Sequence, residues 1–359
     1  MRLPLVASAT LTLTASGVRA SSSQAFFPVG TPGVPWGTAE RAEWLATRVT
    51  QRSYDEEVTR KIDGIRADEE LMRHLEVKQY GSLSRDPERH KMYAVVSKPW
   101  SAEKPSVLVT GGVHGYEKSG VQGALRFIST HAVAYSKAFN VVVAPCLSPW
   151  GYETVQRWNS DAIDPNRSFN PDGEVVPGRS FNPEAATEES SALIGFLGTL
   201  GVEQWLCHVD LHETTDTDET EFRPAKASRD GVPYEPDVIP DGFYLVSDST
   251  NPQEGWHRAI IDAVRTVTHI APPDADGKII GEEVVQDGVI AIPSPRSIGL
   301  CAGVTNAKYA TTTEVYPDSP SADEEQCNTA QVTAVAAALD YIIQAEGLAK
   351  AGAVDDREL

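Results

Sequence analysis

The chain has 359 residues, 41% hydrophobic and 23% charged, which is the balance of an ordinary globular protein large enough for a sizeable core. Its formal net charge of −20 excludes a protein held to nucleic acid by a basic face. Four cysteines without a Cys-x-x-Cys spacing exclude a zinc ribbon and a disulfide framework, while leaving room for one bridge; Cys146 and Cys207 sit in apolar runs as buried free thiols.

In chain order, residues 1–20 read as a targeting segment. A short basic start is followed by a modest apolar stretch and by Val18-Arg-Ala20, small residues of the kind found at a secretory cleavage site. Secretion is the expectation. Thr and Ser dilute the apolar part, so an organelle transit peptide, or a cytoplasmic chain, is the alternative. The stretch is too short and polar to span a bilayer and no later one does so, hence no stable membrane insertion is expected.

Residues 21–74 read as an N-terminal extension, rich in Pro and Gly from Phe26 to Gly37 and helical in pattern from Thr38 to about Leu75. Strands are expected at Val77–Leu83, Lys91–Lys98, Ser106–Thr110, Asn140–Pro145, Trp205–Leu211, Gly242–Ser247 and Ala310–Tyr316. Helices are expected at Ser119–Thr130, Thr187–Leu200, Gln253–Thr268 and Ser321–Glu346. Loops are expected after Leu147, over Ser160–Pro183 and in the polar stretch Glu213–Pro240. Residues 274–307 have no readable pattern, and 347–359 read as a flexible tail. Alternating strands and helices predict a single α/β domain over 75–346, with a central mixed, largely parallel twisted sheet and helices on both faces.

Four stretches carry chemistry. The apolar run from Val107 turns on Gly111 and Gly112 and ends in His114-x-x-Glu117, two good zinc ligands at a strand's exit. A second apolar strand ends in Asp210-Leu-His212, which completes a three-ligand site with a position left for water. His208 is the alternative ligand, because residues i and i+4 point the same way along a strand, and Asp210 is placed to orient a ligand histidine. The loop holding Arg157, Asn166 and Arg167 can bind a carboxylate through forked hydrogen bonds and steady an oxyanion. Glu314, near the end of a β-branched strand, suits a general base acting on zinc-bound water.

In this order the four stretches resemble the zinc carboxypeptidases of the M14 type, together with the related aspartoacylase and succinylglutamate desuccinylase branch. The resemblance runs over roughly residues 75–345. It implies a zinc carboxypeptidase-like catalytic domain with one Zn2+ per chain held by His114, Glu117 and His212. It implies Glu314 as catalytic base, Arg157 at the oxyanion, and Arg157, Asn166 and Arg167 on the substrate. The implied activity is a metallocarboxypeptidase cleaving the C-terminal peptide bond. The alternative is an N-acyl amino acid amidohydrolase, and third an inactive carboxylate-binding module. In the first two cases the partner is a peptide or N-acyl amino acid with a free carboxylate. The family's substrate-contacting tyrosine has no clear counterpart: Tyr309 and Tyr316 are the candidates, with Arg296 as another group for a substrate anion. The acidic stretch Asp216–Arg223 has no assignment beyond a solvated loop or a rim for cationic substrates.

Overall fold

The computed structural model describes residues 27–170, 172–176 and 181–348. The expected targeting segment, and all but the first two residues of the expected tail, lie outside the described residues. Ten strands form one sheet: β1 (Leu75–Ser82), β2 (Lys91–Ser97), β3 (Ser106–Gly111), β4 (Asn140–Ala144), β5 (Trp205–Glu213), β6 (Tyr244–Asp248), β7 (Lys278–Ile279), β8 (Glu282–Gln286), β9 (Val289–Ile292) and β10 (Tyr309–Val315). Their spatial order is β1-β2-β4-β3-β5-β10-β6-β9-β8-β7. Pairing is parallel among the four central strands β4, β3, β5 and β10, and again between β6 and β9. The remaining pairs are antiparallel. The α/β class with a mixed sheet is the one expected, and its parallel pairing is concentrated at the centre.

The alternation of side chains along each strand decides which face carries which residues. Val107 and Val109 of β3, Val141 and Val143 of β4, and Cys207, Val209 and Leu211 of β5 enter one core. It is covered by the helices Lys118–Thr130, Glu254–Val264 and Glu324–Ala345. Leu108, Val142 and Ala144 enter the opposite core, against Leu193, Phe196 and Leu197 of the Glu188–Thr199 helix. Burial of each such valine or leucine contributes roughly 1.5–3 kcal/mol. Thr110, His208, Asp210, His212 and Glu314 therefore share one face of the sheet by parity alone.

Three regions differ from expectation. The stretch after Leu147 opens the short helix Pro149–Thr154, with Pro149 in the first turn where its missing N–H costs nothing. The polar stretch after β5 contains a π-helical turn, Asp218–Phe222, running into the helix Arg223–Asp230. Residues 274–307 hold β7, β8 and β9 and two 3₁₀ turns, Pro295–Ile298 and Cys301–Gly303. All four cysteines are free and buried, so the one bridge the count allowed is absent.

The N-terminal extension packs against the segments that follow β3 and β4. Trp44, in the helix Thr38–Ala46, meets the rings of Trp150 and Trp158. Arg52 donates through Nη2 to the Tyr116 carbonyl at 2.7 Å. The extension thus holds the backbone of the His114–Glu117 loop directly.

Candidate metal centre and active site

His114 and Glu117 follow the end of β3, where the chain must turn sharply. Gly112 has φ +59°, the left-handed region a side chain disfavours. Gly115 lies so close to Gly151 that a Cβ would fall 1.9 Å from its carbonyl carbon. Immediately after Glu117 the helix Lys118–Thr130 begins, and its first N–H groups are capped by Glu213, which accepts from Lys118 N at 3.0 Å and Ser119 N at 2.6 Å. Glu213 stands next to His212, so one carboxylate ties the two ligand-bearing segments together. Parallel pairing sets Glu314 of β10 opposite His212, and antiparallel pairing sets it opposite Tyr244 of β6.

His114, Glu117 and His212 are each at least 98% buried, and one ligand atom from each lies within 4.8 Å of the others. His114 Nδ1 is 2.6 Å from Glu117 Oε1 and 3.2 Å from His212 Nδ1. Glu117 Oε2 lies 2.8 Å from His212 Nδ1 yet makes no aligned hydrogen bond. The far nitrogens are already taken: His114 Nε2 faces Asp164 Oδ1 at 3.0 Å, and His212 Nε2 faces Asp210 Oδ2 at 2.9 Å. With a cation at the two Nδ1 atoms, Asp164 and Asp210, which as carboxylates accept only, would hold the ring protons on Nε2 and leave the Nδ1 lone pairs to the ion. Two imidazole lone pairs and a carboxylate then converge with no donor among them, a donor set that fits a divalent cation such as zinc.

Burial would push the Glu117 carboxyl up, but His212 and His114 hold it at about 2. Burial would depress His212, but Glu117 and Asp210 hold it well above its ordinary value. Glu314 is pushed up to about 8, chiefly by burial, with His212 opposing and Glu117 and Asp218 adding. A divalent cation beside it would favour its charged form. Its Oε2 accepts from Thr214 Oγ1 at 3.1 Å, and Thr214 is itself 2.7 Å from the Tyr244 hydroxyl.

Arg157 lies against this cluster. Its Nε donates to Asp164 Oδ2 at 3.1 Å, and its Nη1 donates to the Tyr116 hydroxyl at 2.9 Å and to Asp218 Oδ1 at 3.3 Å. Its guanidinium stacks over Phe222, 4.5 Å from the ring centre. Burial alone would lower its pKa; Tyr116, Asp164 and Asp218 keep it raised. Asn166 receives the Cys301 N–H at 2.7 Å, which joins this loop to the 3₁₀ turn at Cys301–Gly303. Arg167 donates through Nη1 to the Asn166 carbonyl at 2.6 Å, stacks on Phe181, and keeps a buried Nε without a partner.

Of the residues singled out in the sequence, His114, Glu117, His212, Glu314, Arg157, Asn166 and Arg167 lie in or beside this cluster. His208 does not join it: its Nε2 lies 2.9 Å from Thr110 Oγ1, and it forms a separate buried group with Asp210 and Cys301. Tyr309 bonds Glu346 and Tyr316 bonds Asp216, so neither touches Glu314; Arg296 is exposed. The tyrosine adjoining Glu314 is Tyr244, which the sequence reading passed over. Asp164, Tyr116 and Asp218 were also missed as partners. Asp164 had one signal, its place two residues before Asn166 in a loop already marked as functional.

A family model described as zinc carboxypeptidase matches residues 82–199, a span that contains His114, Glu117, Arg157, Asn166 and Arg167. Over that span the chain is similar to the M14 zinc carboxypeptidases. Its fold is likewise similar to solved structures. A candidate metallopeptidase from Shewanella denitrificans OS217 aligns with a TM-score of 0.57 at 18% identity, covering 80% of this chain and 88% of that one. Bovine thrombin-activatable fibrinolysis inhibitor, solved with a tick carboxypeptidase inhibitor, aligns at 0.51 and 12% identity, covering 84% and 99%. A metallo-carboxypeptidase from Burkholderia cenocepacia aligns at 0.50 and 12%, covering 86% and 70%. At these identities the likeness is one of fold. No curated protein matches the sequence. The similarity to that family model supports a hydrolase.

Proposed function

We propose that the chain is a zinc metallocarboxypeptidase that removes the C-terminal residue of a peptide. The observation that carries this reading is the convergence of His114 Nδ1, His212 Nδ1 and Glu117, with Glu314 one strand away in register with His212. Zinc held by those three side chains supplies Lewis acidity toward the scissile carbonyl and toward water. Glu314 takes the proton from water and delivers it to the leaving amine. Arg157 donates to the developing oxyanion; its fixing by Asp164, Tyr116 and Asp218 keeps it from having to reorganise. Asn166 and Arg167 dock the free carboxylate, which makes the action exo.

Replacing Glu314 by Gln keeps the shape and removes the base. The expected result is a fall in kcat of roughly 10²–10⁴ with zinc still bound at one per chain. Full activity in that variant would remove Glu314 from the mechanism. Metal analysis that finds no zinc after gentle purification, with no gain of activity on adding zinc, would overturn the reading as a whole.

A further inference from the structure

The loop between β3 and the helix Lys118–Thr130 carries two candidate metal ligands, so its backbone decides where His114 and Glu117 point. Its carbonyls can be followed one by one. Gly111 O accepts from Leu147 N at 3.1 Å, Gly112 O from Ser148 N at 2.9 Å and Val113 O from Ser148 Oγ at 2.6 Å. Those donors all come from the segment after β4. His114 O accepts from Glu117 N at 3.3 Å. The next two carbonyls, Gly115 and Tyr116, accept from Arg52 of the N-terminal extension, through Nη1 at 3.4 Å and Nη2 at 2.7 Å. One guanidinium fork therefore spans both residues that separate the two ligands.

Arg52 is anchored in turn. Its own N–H and that of Gln51 donate to the Glu153 carbonyl at 3.0 and 2.7 Å, and Gln51 Nε2 donates to Thr154 O at 2.9 Å. These are carbonyls at the C-terminal end of the helix Pro149–Thr154, where the helix leaves its acceptors open. The Arg52 guanidinium lies over Tyr152 of the same helix, 5.0 Å from the ring centre. Two residues on, Tyr54 is fully buried and enters the core that holds Val107 and Val109, together with Val58 and Ile62. The Arg52 tether is thus fixed at its base by the core. Gly115 also abuts Gly151 of the short helix, so the ligand loop is held between that helix and Arg52. Arg52 stands outside residues 82–199, and the family likeness assigns it nothing.

We propose that Arg52 is a positioning residue of the metal centre: by tethering Gly115 and Tyr116 it fixes the separation of His114 and Glu117, so that the N-terminal extension sets how tightly the ion is held. The proposal rests on the metal-centre reading and is independent of whether the substrate is a peptide or an N-acyl amino acid.

The test uses the full zinc-loaded chain. Zinc affinity is measured by competition with a chelator, beside the thermal midpoint of the metal-free form. Arg52→Met keeps an apolar stem over Tyr152 and removes both donors. Its zinc affinity is expected to fall by roughly 10–100-fold, the range found when groups that orient metal ligands are lost. Arg52→Lys keeps the charge but not the planar fork, so its affinity should lie between wild type and Arg52→Met; it decides the matter alone where the methionine variant does not fold. Gln51→Ala removes only the neighbouring tether to Thr154 and should keep wild-type affinity. Wild-type affinity in the folded Arg52 variants, with a lowered midpoint, makes Arg52 a clamp on the fold alone and overturns the proposal. An equal loss of affinity in Gln51→Ala overturns it too, because the whole segment would then be loosening. A wild-type chain that takes up no zinc overturns the metal-centre reading, before any variant is compared.

Discussion

His208 and His212 stand on the same strand, four residues apart, on the same face and equally buried, yet they have opposite fates. His212 has two carboxylates against it, Glu117 and Asp210, and is held well above its ordinary pKa. His208 meets hydroxyls, with Thr110 at 2.9 Å and Thr305 at 3.4 Å, and burial pushes it down to about 4 despite the pull of Asp210. Burial alone therefore does not decide which histidine is the candidate metal ligand. What separates the two is the strand's exit, where the neighbouring strand also ends and its loop can bring Glu117 and His114 within reach.

The largest effect expected from breaking this contrast is on the metal. His212→Gln should lose zinc and activity together, as read by metal analysis and peptide turnover. His208→Gln should keep one zinc per chain and change turnover a few-fold at most. Equal loss of zinc from both would return His208 to the ligand set.

Next in size is the residue the two sites share. Asp210 accepts from Thr110 through Oδ1 and faces His212 through Oδ2. Asp210→Asn leaves His212 free to choose the wrong tautomer, and zinc affinity should fall by roughly 10–100-fold, measured by competition with a chelator. Thr110→Val removes a hydroxyl serving Asp210 and His208 without touching a ligand. Its expected cost is about 1–3 kcal/mol of stability with a smaller change in zinc affinity.

The smallest expected effect is a pH dependence of stability on the buried-histidine side. His208 and His257 are both held at about 4, below an ordinary value of 6.5, by burial. A base whose folded pKa is depressed contributes its full stability above the unfolded value and loses it as pH falls toward the folded one. Each should therefore cost stability between pH 6.5 and pH 4, by roughly 1–3 kcal/mol. His257 is buried in the helix Glu254–Val264, beside the ring of Trp256. His257→Gln should flatten the acid-side fall in thermal midpoint, and an unchanged slope would remove His257 as its source.

Much of the site was readable because strand ends are local. Val107–Val109 and Val209–Leu211 are short apolar runs of period two, so the parity of His208, Asp210, His212 and Glu314 follows from counting. Gly111-Gly112 signalled the turn, and Gly112 indeed takes a positive φ. The partners were harder to see. Asp164 is 50 residues from His114, Asp218 is 61 from Arg157, and Cys301 is 135 from Asn166. Each lies in a polar stretch without period, where composition is compatible with any approach. The acidic stretch after β5 is the clearest example. It reads as a solvated loop, but Asp218 is 6% exposed, and Phe222 packs among Trp36, Trp44 and Trp158 while lying under Arg157.

The sequence by itself determined the α/β class, the strands that end in His and Glu, and the order in which the chemical residues arrive, because side-chain alternation and apolar runs are properties of a few consecutive residues. Only the tertiary structure decided which nitrogen of each histidine faces Glu117, which carboxylates lock Arg157, and that Tyr244 rather than Tyr309 adjoins Glu314. Those outcomes depend on distances of a few ångströms between segments far apart in the chain, and these are set when the loops pack together.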